Sequence, residues 1–372
     1  MVSAFPPDKG RLSEYAAALI GELIKNYDNI RVEILSDSGS HQSDRITVKT
    51  SWRADDVISV LKLWTRIISS KVKLVHFNLH MAVFGRGRVV NFFGLLSVFI
   101  ARMSGKKVIT TLHNIPAGIR LESVGIIANT IVNRIGLWLA TVLVVKSSHV
   151  TVVKMKSYTS IVEQLYGAKR VVWIPHGAWF TDKQPTWRYS GKGNILFLGY
   201  ITPYKDLHAL IKAVKRIAEK SKVKLLISGD VHPNFREEGQ KLLESIKDDP
   251  CVLFLGYVPD NALPELIKEI DVVVLPYRTS TGTSGVVHVL SALGCPFVVS
   301  DTPEFRELER EGAGFLVTPL EPNRLSESIE RILSNPDLAH ELSWKSVKFA
   351  HSRSWQNVAK AYMQLYSELI KN

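Results

Sequence analysis

Between Thr279 and Pro296 the chain reads TSTGTSGVVHVLSALGCP, a loop of hydroxyls and glycines that runs into an apolar, helix-like stretch. No acidic residue lies between Asp271 and Asp301. First turns of helices usually welcome carboxylates, because their N–H groups are unpaired and the helix dipole is positive there. A start made of Thr283, Ser284 and Gly285 keeps those donors available for an anion from outside the chain. A second candidate partner for an anion lies in FLGYITPYKDLHALIKAV (197–214), which reads as strand, glycine turn and helix. Lys205 falls where that helix begins, against the dipole, and a bound phosphate would account for it.

Three further stretches carry candidate side chains. PPDKGRLSEY (6–15) forces a loop after a first short strand, and Gly10 would let backbone approach a phosphate there. The dinucleotide fingerprint GxGxxG is missing. HFNLH (76–80) and LHN (112–114) place His76, Asn78, His80 and His113 at the carboxyl ends of two strands, the edge where open α/β sheets bind ligands. A lone histidine is more often structural, but several at one edge favour a cleft role, most of all for His113. No Asp, Glu or Cys cluster adjoins them, so no metal is expected.

The elements that must position these residues alternate. In the first half, strands are expected at 30–35, 72–77, 107–112, 149–153 and 170–174. Helices are expected at 12–25, 54–68, 89–103, 123–140 and 156–166. In the second half, strands are expected at 194–198, 223–228, 251–255, 271–275, 297–300 and 314–317. Most are continuous runs of Val, Ile, Leu and Phe, as parallel strands covered on both faces require. The alternation implies two doubly wound parallel-sheet α/β domains, residues 1–178 and 179–353. Residues 354–372 form an amphipathic C-terminal helix. Only about four residues of strand precede Pro6, so the first strand is either short or continued upstream of Met1.

At 372 residues the chain exceeds one ordinary core. Its 46% hydrophobic and 22% charged residues are ordinary for a globular protein. The two cysteines, Cys251 and Cys295, read as reduced core thiols in a cytoplasmic protein, and no cleavable signal peptide is visible. Charge is uneven. Residues 1–180 hold 23 Lys and Arg against 11 Asp and Glu, whereas residues 181–372 hold 24 of each. From Val57 to Val162 the single acid is Glu122, beside 14 Lys and Arg. Such a field favours an anionic partner: nucleic acid, acidic lipid headgroups or a phosphorylated substrate. Nucleic acid is not expected, since no recognition motif accompanies the charge. The apolar stretches 89–101 and 123–145 are too short or too interrupted to span a bilayer. They suit core helices or a peripheral contact with an acidic membrane surface.

The order and spacing of SAFPPDKG, TLHN, WIPHG, LGYITPYKDLHALIKA, LGYVPDNALPELIKEIDVVVLPY, SALGCPFVVSDTPEFREL and GFLVTPLEPNRLSESIERIL resemble nucleotide-sugar glycosyltransferases of family 4 over nearly the whole chain. The resemblance implies the GT-B fold: two Rossmann-like domains facing a cleft, with the last helix crossing back to the N-terminal domain. It implies a hexose transferred with retention from a nucleotide diphosphate sugar, UDP- or GDP-linked, without a metal. The acceptor would be a glycan or a lipid-linked molecule, held by the basic half. By position, Gly10 would approach the donor phosphates and His113 the sugar hydroxyls. Lys205 would pair with the diphosphate, and Thr283, Ser284 and Gly285 would give it N–H groups. Tyr257 and Val258 would meet the nucleobase through backbone atoms, and Glu307 matches a glutamate common after the last cleft strand. The chain departs from the family pattern at four places. Thr281 and Val289 stand where two glutamates are usual, the second on the ribose. Tyr200 replaces an arginine on the diphosphate, and Trp179 replaces an aspartate. A donor-binding subunit without catalysis is the alternative those departures leave.

Overall fold

A computed structural model describes residues 1–8, 11–116, 131–179, 185–279 and 283–371. In the N-terminal half the order is α1 (Arg11–Asn26), β1 (Val32–Ser36), β2 (His41–Gln42), β3 (Ile46–Thr50), α2 (Val57–Ser69) and β4 (Leu74–Leu79). There follow α3 (Arg88–Met103), β5 (Lys107–Leu112), α4 (Ile131–Ser147), β6 (Val150–Val153), α5 (Ser157–Tyr166) and β7 (Val171–Trp173). Strands β4-β5-β6-β7 form one parallel sheet and β1-β3-β2 another, with only β2 antiparallel. Val2 bridges Leu35 on one side and Phe77 on the other, so the N-terminal segment joins the two sheets through single bridges.

Side chains alternate across this sheet as the pleat requires. Ile34, Ile109, Val150 and Val152 pack with Leu19 of α1, and Val75, Phe77 and Leu79 pack with Leu63 and Val98 on the other face. Right-handed crossovers put α2, α3, α4 and α5 together on that second face.

The C-terminal half contains β8 (Asn194–Leu198), α6 (Leu207–Ala218), β9 (Lys224–Ser228), α7 (Arg236–Ile246), β10 (Val252–Gly256), α8 (Leu263–Ile267) and β11 (Val272–Leu275). It continues with α9 (Gly285–Ala292), β12 (Phe297–Ser300), α10 (Pro303–Arg310), β13 (Phe315–Thr318), α11 (Pro322–Leu333) and α12 (Pro336–Ser352). Its six strands are parallel in the order β10-β9-β8-β11-β12-β13. The buried Asp271 carboxylate accepts N–H bonds from Ser190, Gly191, Gly193 and Asn194, which fastens the incoming chain to the start of β11. The last helix, α13 (Trp355–Lys371), returns to α1, where the Tyr15 and Tyr362 hydroxyls lie 3.1 Å apart.

Three expectations need correction. Strands β2 and β3 are not in the sequence reading: both are short, and β2 is fully exposed at the sheet edge, so neither gives an apolar run. The helix expected to end at Ala140 continues to Ser147, carried by the apolar TVLVV, and its first part lies outside the described residues. Cys295 is a buried thiol, but Cys251 is partly exposed.

Candidate active site in the crevice at the switch point

The C-terminal sheet reverses its winding between β8 and β11: β8 leads through α6 to β9 on one side, and β11 leads through α9 to β12 on the other. Loops leaving the carboxyl ends of such a pair diverge and leave a crevice. Gly199, the first residue past β8, adopts φ +133°, which a side chain would strain. A methyl group placed on it would come within 2.9 Å of the Lys205 amine and 3.8 Å of a Val286 methyl. The amine, the glycine turn and the first turn of α9 therefore share one spot.

Lys205 is 9% exposed, with its amine 5.4 Å from the Tyr277 ring centre. It stands one residue outside α6. The cap is Asp206, whose carboxylate accepts from Ala209 N at 3.1 Å and pairs with Arg278 at 2.5 Å. The acid that the helix start wants is thus supplied by Asp206, and Lys205 is turned over the crevice.

Helix α9 begins after Ser284, which has extended backbone and makes no side-chain cap bond. The Thr283 hydroxyl is 2.8 Å from Nε2 of the buried His288. Gly10 and Thr281 lie outside the described residues. Val289 is partly buried against the core, so this position offers packing rather than a carboxylate. Tyr257 and Val258 follow β10 at the same edge of the sheet. The Tyr257 ring is exposed, Val258 packs inward, and Tyr200 sets its ring against His232 at 5.4 Å.

Across the cleft, His113 follows β5. Asn78 donates its amide to the Ser3 hydroxyl and to Leu12 O, so its carbonyl accepts from His113 Nε2 at 2.6 Å and fixes the tautomer. Burial, aided by nearby Lys154, holds the imidazole well below its usual pKa. His76, in contrast, is a structural residue: its ring nitrogens meet Tyr366 and Thr111 at 2.7 and 2.8 Å inside the α13 interface. The His80 ring accepts from Ala82 N within its own turn.

A row of rings connects the two sides. Tyr15 sets its edge against His113 at 4.6 Å and His176 at 5.2 Å, and His176 stacks on His288 at 4.8 Å with 9° between planes. Glu307 lies away from this row. Its carboxylate accepts the Lys156 and Ser157 N–H groups and so caps α5 of the N-terminal half. Glu311 beside it pairs with Lys156 at 3.2 Å and with the buried Arg353.

Residues 192–335 match the family model described as Glycosyl transferases group 1. An uncharacterized glycosyltransferase of Methanocaldococcus jannaschii is 33% identical over 143 residues, 38% of this chain and 36% of that protein. Residues 192–335 are a group 1 glycosyltransferase domain. The matched stretch spans about a third of the curated relative's length.

Solved structures extend the likeness of fold beyond the glycosyltransferase domain. Sucrose-phosphate synthase from Thermosynechococcus elongatus superposes with a TM-score of 0.74 at 14% identity, over 97% of this chain and 94% of that one. Anabaena HepE, solved with UDP and glucose, gives 0.71 at 16% identity over 98% of each chain. The fold is GT-B.

Sequence reading missed several groups that this geometry brings in. Lys154, directly after β6, donates to the Tyr15 hydroxyl and, at 3.0 Å, to that of Tyr362, and burial pushes its amine well below the lysine range. A lysine ending an apolar strand at the cleft edge was the available signal. His176 and His288 offered none as a pair, since they stand 112 positions apart. Arg278 is a second cation beside the glycosyltransferase domain's crevice, held by Asp206.

Proposed function

We propose that the protein is a glycosyltransferase that moves a hexose from a UDP- or GDP-linked sugar to a glycan or lipid-linked acceptor. The carrying observation is the meeting of the Lys205 amine, Gly199 and the start of α9, where the Ser284 side chain makes no cap bond, in one crevice of a group 1 glycosyltransferase domain. As the bond from sugar to diphosphate breaks, negative charge grows on the leaving phosphate. A buried ammonium and helix N–H groups stabilise that charge without a metal. The solved neighbour that holds UDP and glucose supports a nucleotide-sugar donor. His113, with its Nε2 proton committed to Asn78, presents Nδ1 as an acceptor for a sugar hydroxyl. The acceptor would lie against the N-terminal half, and retention follows from the family reading.

The test is binding and turnover with UDP- and GDP-sugars. Saturable donor binding that is lost in Lys205→Ala, with turnover unaffected by EDTA, supports the assignment. A Lys205→Ala protein that binds donor like the parent refutes it. Val289, an aliphatic residue where the resembled family pattern has a ribose-facing glutamate, favours a second reading as a donor-binding subunit. Donor binding with neither transfer nor slow hydrolysis would select that reading.

A further inference from the structure

Helices α2, α3 and α4 bury one side against the N-terminal sheet and turn a second apolar row outward. On α2, Ile58 is 79% exposed, with Leu61 and Ile68 on the same side at spacings of three and seven. On α3 the row is Val89, Phe92, Phe99 and Met103, opposite the buried Val90, Leu95 and Val98. On α4 it is Ile135, Trp138 and Leu139. Scattered exposed hydrophobics are ordinary, but three neighbouring helices that each face outward with such a row form a patch that wants a partner.

The surrounding charge has one sign. Lys62, Arg86, Arg88 and Arg134 are exposed on these helices and their leading turns. The single acid from Val57 to Val162 is Glu122, outside the described residues. Two acids come just before α2, and both serve the backbone. Asp56 accepts from Ile58 N and Ser59 N, and Asp55 accepts from Arg86 N and Gly87 N while pairing with the Arg86 side chain at 3.5 Å. An apolar surface framed by cations, with its flanking acids engaged, complements a sheet of anionic headgroups over hydrocarbon.

We propose that this face docks on a bilayer containing anionic lipid. The apolar rows enter the boundary between headgroups and acyl chains, and the cations meet lipid phosphates. Among the described residues no helix is long and apolar enough to cross a membrane. Helix α3 starts after β4 ends, at the carboxyl edge of the sheet that also carries His113. Docking therefore brings the mouth of the cleft to the headgroup layer, where a lipid-linked acceptor arrives without leaving the membrane. The surface stands apart from the donor crevice, so vesicle binding and donor binding fail independently.

The experiment is sedimentation with vesicles of phosphatidylcholine alone or mixed with phosphatidylglycerol, at low and high salt. Binding at least about tenfold tighter to the anionic vesicles, and weakened by salt, is expected. Ile58→Asp with Phe92→Asp should lower it about tenfold or more, and Lys62→Glu with Arg88→Glu should do the same. The controls Leu253→Asp and Trp344→Asp, at exposed apolar residues of the other half, should leave it unchanged. Melting temperature and donor binding are followed for every variant, so misfolding is seen directly. Equal binding to both vesicle types overturns the proposal, as does a helix variant that folds and still binds like the parent. A dimer seen by light scattering and lost in the same variants would assign the face to a second copy instead.

Discussion

The two halves share one architecture and differ in what they leave at the surface. The C-terminal half has as many acids as bases and gathers its candidate site residues at a crevice that a strand-order reversal creates. The N-terminal half carries the whole excess of positive charge, three helices with exposed apolar rows, and a buried network of Lys154, Tyr15, Tyr362 and His113. The family match stops with the first of these, at residues 192–335. A diphosphate asks the same few things of any protein: a cation, backbone N–H groups and close approach by glycine. A surface for an acceptor, as proposed for the N-terminal half, would answer to a different partner, and the sheet beneath it is all the two halves need to share.

Four substitutions or conditions would break that comparison or sharpen it. Lys205→Ala should lower turnover about 100- to 1000-fold, the loss typical of removing one preorganised charge-stabilising donor. Steady-state kinetics should show weakened donor binding with vesicle binding intact; a change confined to the acceptor would misplace the phosphate. His113→Ala should cost about ten- to a hundredfold in kcat, as a contact to the sugar that leaves diphosphate affinity unchanged. Equal losses in donor affinity would move His113 out of the sugar position.

Acid stability gives a third handle. Burial holds the imidazoles of His76, His113 and His288 well below their usual pKa. They stay neutral in the folded chain and take up protons once it unfolds. Stability is therefore full above the ordinary histidine value near 6.5 and falls as pH drops below it, by about 1.4 kcal/mol per pH unit for each group. Urea unfolding at pH 7 and pH 5 should show this slope, reduced in His76→Gln; an unchanged slope would remove His76 from the account. The smallest effect belongs to Tyr257→Ala. Its ring is exposed and the nucleobase contact is assigned to backbone, so donor affinity should change less than about threefold. A larger loss would mean that the ring stacks on the base.

Strands β8, β9, β11 and β12 were legible because they are covered on both faces, which makes each a largely apolar run. Residues 194–198 and 297–300 appear at the bounds that the pattern predicts. Lys205 stood out because a cation just before an amphipathic helix opposes the dipole; in the structure Asp206 caps that helix, and the phosphate contact remains a proposal. The edge strand β2 was not legible, since an exposed strand leaves no apolar signature. Neither was the network that supports His113. Its hydrogen bonds join Lys154 to residues 139 and 208 positions away, and only the return of α13 brings those partners together. Glu307 shows the same limit: its motif was visible, while its place on the α5 N–H groups depends on how the halves meet.

The central claim is that a nucleotide diphosphate sits between Lys205 and the start of α9. A crystal structure with bound UDP- or GDP-sugar tests it most directly. The account predicts phosphate oxygens within about 3 Å of the Lys205 amine and of the Gly285 or Val286 N–H, with the sugar toward His113. A nucleotide whose diphosphate lies away from Lys205 and α9 would contradict it.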